Sequence, residues 1–272
     1  MNLLQTFILA IVQGITELFP ISSLAHSVLT PYVFGWNLNE EFLKQNFLPF
    51  MVMLHLGTAL SLFLFFNNEW KDILNKLYHH KYHDNRLLYL IIVGSIPAVI
   101  IGFSFEKILR FMFSNVTNAS FFLIMNGFLL YAGEKFRKRG TKTLNEMTFK
   151  EAFFIGICQC IAFIPGFSRS GATITGGFIA GLKHSESLRF SMLLAAPIIL
   201  GAAVVEIPHL VESNITNTLS ISIAGGVISA VMAFLSVWLM TKWFHKNEHT
   251  AMFPFAVYCW LVGGGILISR FM

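Results

Sequence analysis

The sequence predicts an all-α polytopic membrane protein: six transmembrane helices plus two re-entrant helix pairs, related as an inverted-topology repeat. Three observations predict it. Hydrophobic residues fill 55% of 272 positions and charged residues 12%, about half the ~25% of a soluble domain. Mean hydropathy is +0.66. Six apolar stretches are long enough to cross a bilayer, and two more are interrupted by proline. Too little polar surface is available to cover a soluble globule. That excludes a soluble enzyme, a disordered chain and a nucleic-acid module.

The six stretches run over roughly 47–66, 87–105, 117–133, 188–206, 218–241 and 253–271. A crossing takes ~20 residues at ~1.5 Å each. The interrupted regions are 3–34, broken at Phe19-Pro20-Ile21-Ser22-Ser23, and 151–182, broken at Ile164-Pro165-Gly166-Phe167-Ser168-Arg169-Ser170. Proline lacks the N–H and clashes with the preceding turn, so a helix stops there. The segments 22–34 and 151–164 reach only ~20 Å, short of the ~30 Å hydrocarbon layer. Irregular backbone at that depth survives only where protein or a wet cavity covers it. Each region therefore reads as a pair of half-helices returning to its own side.

Charge supports this arrangement. With both pairs re-entrant, the connectors 67–86, 134–150, 183–189 and 242–252 share one face and carry 14 basic residues. The other face has Lys44, Lys107, Arg110 and Arg270. If the second pair crossed instead, the split would be 11 against 7. The steeper asymmetry places the richer face in the cytoplasm. Both termini then face outward and the two breaks meet near the midplane. One membrane domain, 1–272, results, with repeat 1 at about 1–135 and repeat 2 at about 150–272; the halves share a layout more than a sequence.

The net charge of +5 fits cytoplasmic anchoring, as does the cluster Lys135-Phe136-Arg137-Lys138-Arg139, and no nucleic-acid partner is expected. Cys158, Cys160 and Cys259 suit neither a disulfide framework nor a zinc site. No basic region precedes Lys44, so no secretory signal is expected. His79, His80 and His83 lie in a polar connector and read as solvated. The sequons at Asn115, Asn118 and Asn214 are uninformative. Gly177 and Gly181 have the spacing of a close helix contact.

Ionisable groups in hydrocarbon are costly, and those that persist are candidates for function. They gather at the two breaks. Gln13 and Glu17, four apart, share a helix face. Ser22 or Ser23 can cap the next helix, and His26 lies three residues beyond Ser23. His55 reads as a core residue that could alternatively face the cavity. At the second break, Ser168 or Ser170 can cap a helix starting near Gly171, whose free N–H groups favour an anion. Gly166 and Gly171 allow close backbone approach. Arg169 offers a planar charged fork for phosphate oxygens, or an ion pair with Glu17, and the two roles can alternate. Thr173 adds a hydroxyl. The site asks for a phosphate group at membrane depth, hence a lipid phosphate.

Two motifs carry a resemblance. Gln13-Gly14-Ile15-Thr16-Glu17, running on into Pro20-Ile21-Ser22-Ser23-Leu24-Ala25-His26, and Pro165-Gly166-Phe167-Ser168-Arg169-Ser170-Gly171-Ala172-Thr173 resemble those of the bacterial undecaprenyl-diphosphatase family, known for bacitracin resistance. The likeness extends over essentially the whole chain. It implies a multi-pass enzyme of the bacterial inner membrane that hydrolyses undecaprenyl diphosphate to the monophosphate and phosphate, recycling the lipid carrier of peptidoglycan synthesis. It also implies a divalent cation, magnesium or calcium, and a site open to the periplasmic face. Carried over position by position, Glu17, Ser23, His26, Ser168, Arg169 and Thr173 would be functional. Leu24 departs from the small hydroxyl residue usual there, and His55 from the usual Gln.

The expected chemistry follows. Arg169 and the turn Ser168–Ser170, with Gly171 and Thr173, hold the terminal phosphate. Glu17 with Gln13 holds the cation through oxygen ligands. Ser23 attacks with His26 as general acid or base, or water attacks directly. The bilayer and a polyprenyl diphosphate are the expected partners, with assembly as a homodimer a further expectation. A lipid-phosphate transporter or flippase is the main rival, since half-helices meeting at midplane are transporter architecture. A serine intramembrane protease needs a Ser–His dyad, which Ser23 and His26 could mimic; the buried Arg weighs against it.

Overall fold

The computed structural model describes residues 2–36, 47–112, 115–136, 140–212, 216–247 and 250–272; for 48, 49, 103, 105–112, 205–212, 216–220 and 271 it describes the backbone only. Lys44, the Arg137-Lys138-Arg139 part of the basic cluster and Asn214 lie outside the described residues, as do the side chains of Lys107 and Arg110.

Apolar runs punctuated by caps and prolines give an all-helical chain, with no strand among the described residues. Helices α1 (Leu3–Thr16) and α2 (Ser23–Val33) flank the first break. Next come α3 (Phe47–Phe65), α4 (Asn67–Tyr78), α5 (Arg86–Met112) and α6 (Val116–Lys135). Then α7 (Phe149–Gln159) and α8 (Arg169–Ala180) flank the second break, before α9 (His184–Glu212), α10 (Thr216–Lys246) and α11 (Phe253–Phe271).

Local chemistry sets the ends. Asn2 and Gln5 form a capping box on α1, and Thr148 and Glu151 form one on α7. Each satisfies N–H groups that the first turn leaves unpaired. Helix α1 ends with Glu17 as its C-cap, just ahead of Pro20. Helix α8 ends on Gly181 in the left-handed region, φ 88°, a conformation a side chain would resist. Gly181 therefore terminates a helix, while Gly177 alone makes the close contact, against Ser187.

Among the described residues four helices are long and apolar enough to cross a membrane, over Val116–Lys135, His184–Val204, Ile221–Lys246 and Phe253–Arg270. They answer to four of the six expected stretches. The stretch at 47–66 forms α3, but the chain then bends by 77° into α4, so the pair counts as a fifth only if taken as one span. Helix α4 is amphipathic. Ile73 is buried beneath it, and its Glu69 accepts two hydrogen bonds from the Arg189 guanidinium on α9. The stretch at 87–105 lies in α5, whose described side chains are apolar over Arg86–Gly102. Helix α10 continues past 241 to Lys246, with Phe244 fully buried and the Trp243 indole N–H donating to the Ala251 carbonyl.

The helices pack across the chain. Helix α3 lies on α10, α6 on α11, α1 on α10 and α5 on α7, with α9 against both α3 and α8. Two glycines make close approach possible. A Cβ on Gly14 of α1 would stand 2.5 Å from the Ser229 carbonyl oxygen of α10, and one on Gly156 of α7 would stand 2.2 Å from that of Gly94 on α5. Large apolar side chains such as Leu60, Val227, Val231 and Leu261 point outward. Polar ones, among them Gln13, Asn126, Ser168 and Ser191, are turned inward. This is the inverse of a soluble surface and suits a lipid surround.

Candidate active site

The two breaks meet. At the first, Ser22 takes φ 66°, a left-handed conformation rare for a side-chain-bearing residue and costly unless held in place. Its Oγ accepts the Ala25 N–H, so Ser22 is the cap of α2. Ser23 then opens the helix and its hydroxyl donates to Glu17 Oε2 at 2.6 Å. Gln13, one turn before Glu17, donates its Nε2–H to the same oxygen at 3.2 Å.

At the second break Ser168 is the cap, its Oγ accepting the Gly171 N–H. Helix α8 therefore starts at Arg169, two residues earlier than Gly171. The Arg169 guanidinium reaches Glu17 Oε1 at 3.0 Å and also donates to the Ser191 carbonyl of α9 at 3.2 Å. His55 of α3 completes the cluster, with Nε2 3.3 Å from Glu17 Oε2 and Nδ1 2.7 Å from the Met51 carbonyl. The ring is thus set between a carboxylate and a backbone carbonyl. One carboxylate thus gathers four partners from α1, α2, α3 and α8.

Burial separates the expected phosphate contacts. The side chains of His55 and Arg169 are 21% and 13% exposed. Ser168, Ser170 and Thr173 are almost sealed, and each hydroxyl is already engaged. Ser168 Oγ lies 3.0 Å from Ser170 Oγ, which donates to the Phe19 carbonyl of the first break at 3.1 Å. Thr173 Oγ1 pairs with Ser191 Oγ at 2.6 Å and lies within reach of the Arg169 and Ser170 carbonyls. These three hydroxyls shape the turn that carries Arg169. Space at Gly171 is taken by Leu130 and Pro20, and at Gly166, φ 115°, by Phe122 and Ala119. Both glycines serve packing between helices.

His26 looks elsewhere. Nδ1 lies 2.8 Å from the Ser22 carbonyl and Nε2 2.8 Å from the Tyr258 hydroxyl of α11. The carbonyl can only accept, so Nδ1 carries the proton and Nε2 accepts from Tyr258. Glu17, not His26, is the side chain in hydrogen-bond contact with Ser23.

Three contributors were not among the sequence candidates: Asn126, Ser191 and Tyr258. Each is a polar residue in a mainly apolar helix, the one signal available for them. Among the described residues no group of three His, Cys, Asp or Glu could hold a metal. Beside Glu17 stand the Gln13 amide, which donates its Nε2–H, and the Ser23 hydroxyl. The buried Gln13 Oε1 has no hydrogen-bond partner. One carboxylate and an orphaned amide oxygen fit a hard cation that takes its remaining ligands from phosphate and water.

The sequence pattern of the bacitracin resistance protein BacA family matches residues 6–265. The chain belongs to that family. Among its relatives is undecaprenyl-diphosphatase 2 of Oenococcus oeni, 49% identical over 270 residues and covering 99% of each chain. Undecaprenyl-diphosphatase 2 of Chromobacterium violaceum is 41% identical, covering 97% of each. The undecaprenyl-diphosphatase of Granulibacter bethesdensis is 40% identical, over 98% of this chain and 96% of its own. The BacA match takes in both breaks and every residue of the Glu17 cluster.

Proposed function

We propose that this chain hydrolyses undecaprenyl diphosphate to undecaprenyl phosphate and phosphate, recycling the carrier lipid of cell-wall synthesis. The observation that carries this is the Glu17–Ser23–Arg169 cluster, a hydroxyl, a base and a fixed cation at the meeting of two interrupted helices. Relatives of nearly identical length bear the same activity in their names.

Cleaving a phosphoanhydride needs charge neutralisation and an activated nucleophile. Arg169 leaves Glu17 Oε1 for the terminal phosphate. Ser23 Oγ attacks the terminal phosphorus as its proton passes to Glu17, and the bond from phosphorus to the bridging oxygen breaks. Undecaprenyl phosphate leaves. Water then attacks the seryl phosphate, releasing phosphate and restoring Ser23. Holding Nδ1–H on the Ser22 carbonyl, His26 keeps the strained turn that presents Ser23. A divalent cation beside Glu17 and Gln13 would neutralise diphosphate charge.

The proposed frame is six spans, α3, α5, α6, α9, α10 and α11, with α1–α2 and α7–α8 as re-entrant pairs. Exchange of partners supports the inverted repeat: α1 packs on α10 of the second half, and α7 on α5 of the first. Gly14 and Gly156 sit at those contacts, each three residues before Glu17 or Gln159. The basic-residue asymmetry supports a cytoplasmic side at the connectors and a site opening to the periplasm.

Phosphate release from undecaprenyl diphosphate by purified protein in detergent tests the proposal, with and without chelator. Release without any membrane gradient is expected, lost on chelation and restored by magnesium or calcium. Binding without release would point to a transporter.

A further inference from the structure

Asn126 stands in the middle of α6, a helix that contributes nothing to the charged cluster. It is completely buried. Its Nδ2 donates to the Pro20 carbonyl at 2.9 Å and, more weakly, to Cys259 Sγ at 3.4 Å. Its Oδ1 accepts the Ser168 N–H at 2.9 Å. Pro20 lies midway between Glu17 and Ser23, and Ser168 immediately precedes Arg169. One planar amide thus touches the backbone beside both halves of the site.

The chemistry of helix ends explains why an amide stands there. The closing end of a helix leaves carbonyls in need of donors, and the opening end leaves N–H groups in need of acceptors. Water that would supply either is absent from the hydrocarbon layer. Where α1 runs out and α8 begins, one side chain must donate to the first and accept from the second. A carboxylate only accepts, an ammonium only donates, and an amide does both. The Ser170 hydroxyl donates to the neighbouring Phe19 carbonyl at 3.1 Å, so Asn126 and Ser170 together tie consecutive carbonyls of the first break to the second.

We infer that Asn126 is a positioning residue: its amide bridges Pro20 and Ser168 and so sets the distance from Glu17 and Ser23 to Arg169. The role rests on the proposed reading of the site. It acts on geometry at the reacting atoms, where a displacement of ~1 Å can cost ~100-fold in rate, and only weakly on capture of the lipid.

Asn126→Leu, close in volume, removes both bonds; Asn126→Asp keeps the acceptor. The Leu variant should retain its elution profile and lose about 10- to 100-fold in kcat, with KM changed less than about 3-fold. Hydrogen exchange should rise in segments 17–22 and 164–172 and stay unchanged in α9 and α11, which a general loosening would not produce. A folded Asn126→Leu with wild-type kcat and local exchange overturns the inference. Should that variant not fold, Asn126→Asp is judged by the same criterion. Arg169→Lys serves as control. Loss there beside a fully active Asn126→Leu overturns the role of Asn126 alone. Full activity in both overturns the reading of the site, and this role with it.

Discussion

The carboxylate of Glu17 meets the guanidinium of Arg169 at 3.0 Å across 152 positions of sequence. Neither charge could sit alone in so apolar a setting. Removing one partner of a buried pair leaves the other uncompensated, at about 3–5 kcal/mol. Glu17→Gln should therefore lower thermal stability and abolish phosphate release. The double variant Glu17→Gln/Arg169→Met should regain most of the melting temperature with no activity. A double variant as unstable as the single one would show that the pair does not stabilise the junction.

Ser23 donates to Glu17 while Ser22 caps the helix, so structure and chemistry divide between adjacent serines. Ser23→Ala should fold normally and lose about 1,000-fold or more in turnover, the scale of losing an activated nucleophile. Activity near wild type would exclude a seryl phosphate and leave water as the attacking group. Ser22→Ala should instead cost about 1 kcal/mol of stability through the lost cap, read as a lower melting temperature.

Tyr258 holds His26 through its hydroxyl at 2.8 Å and lies nearly parallel to it, with planes 15° apart. Tyr258→Phe keeps the ring and removes one hydrogen bond, about 1 kcal/mol. Turnover should fall by roughly 5-fold with no change in the elution profile. An unchanged rate would mean the Ser22 carbonyl alone orients the imidazole.

His55 stands where the family resemblance leads one to expect Gln. An amide can still donate to Glu17, whereas an aliphatic side chain cannot. His55→Gln should remain within about 3-fold of wild-type turnover and His55→Leu should lose about 10-fold, the cost of one charge-assisted hydrogen bond. Equal losses in the two would assign the imidazole a part beyond hydrogen bonding.

Much of this centre was legible because its signals are local. Pro20 and Pro165 interrupt apolar runs, Gln13 and Glu17 recur at one turn, and an arginine within a hydrophobic stretch stands out by cost alone. Asn126, Ser191 and Tyr258 were not legible. Each sits in a mainly apolar helix, and its partner comes from another element, in the case of His26 and Tyr258 across 232 positions. Periodicity reports which face of a helix is polar, not what that face meets. The His26 expectation erred in direction for a related reason. Spacing from Ser23 describes a helix face, but the strained Ser22 turn decides where Ser23 itself points. The 77° bend after α3 falls at Phe66, where the expected stretch 47–66 ends; what remained hidden is that the polar connector 67–86 opens with a helix, α4.

Because the acid comes from near the N-terminus and its cation from the later half, order of synthesis matters. The ribosome adds ~5–20 residues per second, so the 152 positions between them take roughly 8–30 s to appear. Throughout that interval the nascent first half holds an ionisable group in the bilayer with no arginine to meet it, and α1 lacks α10 to lie against. Co-translational insertion must therefore shelter an unfinished, polar seam, and a chain truncated after α6 should be a substrate for quality-control proteolysis rather than a stable fragment.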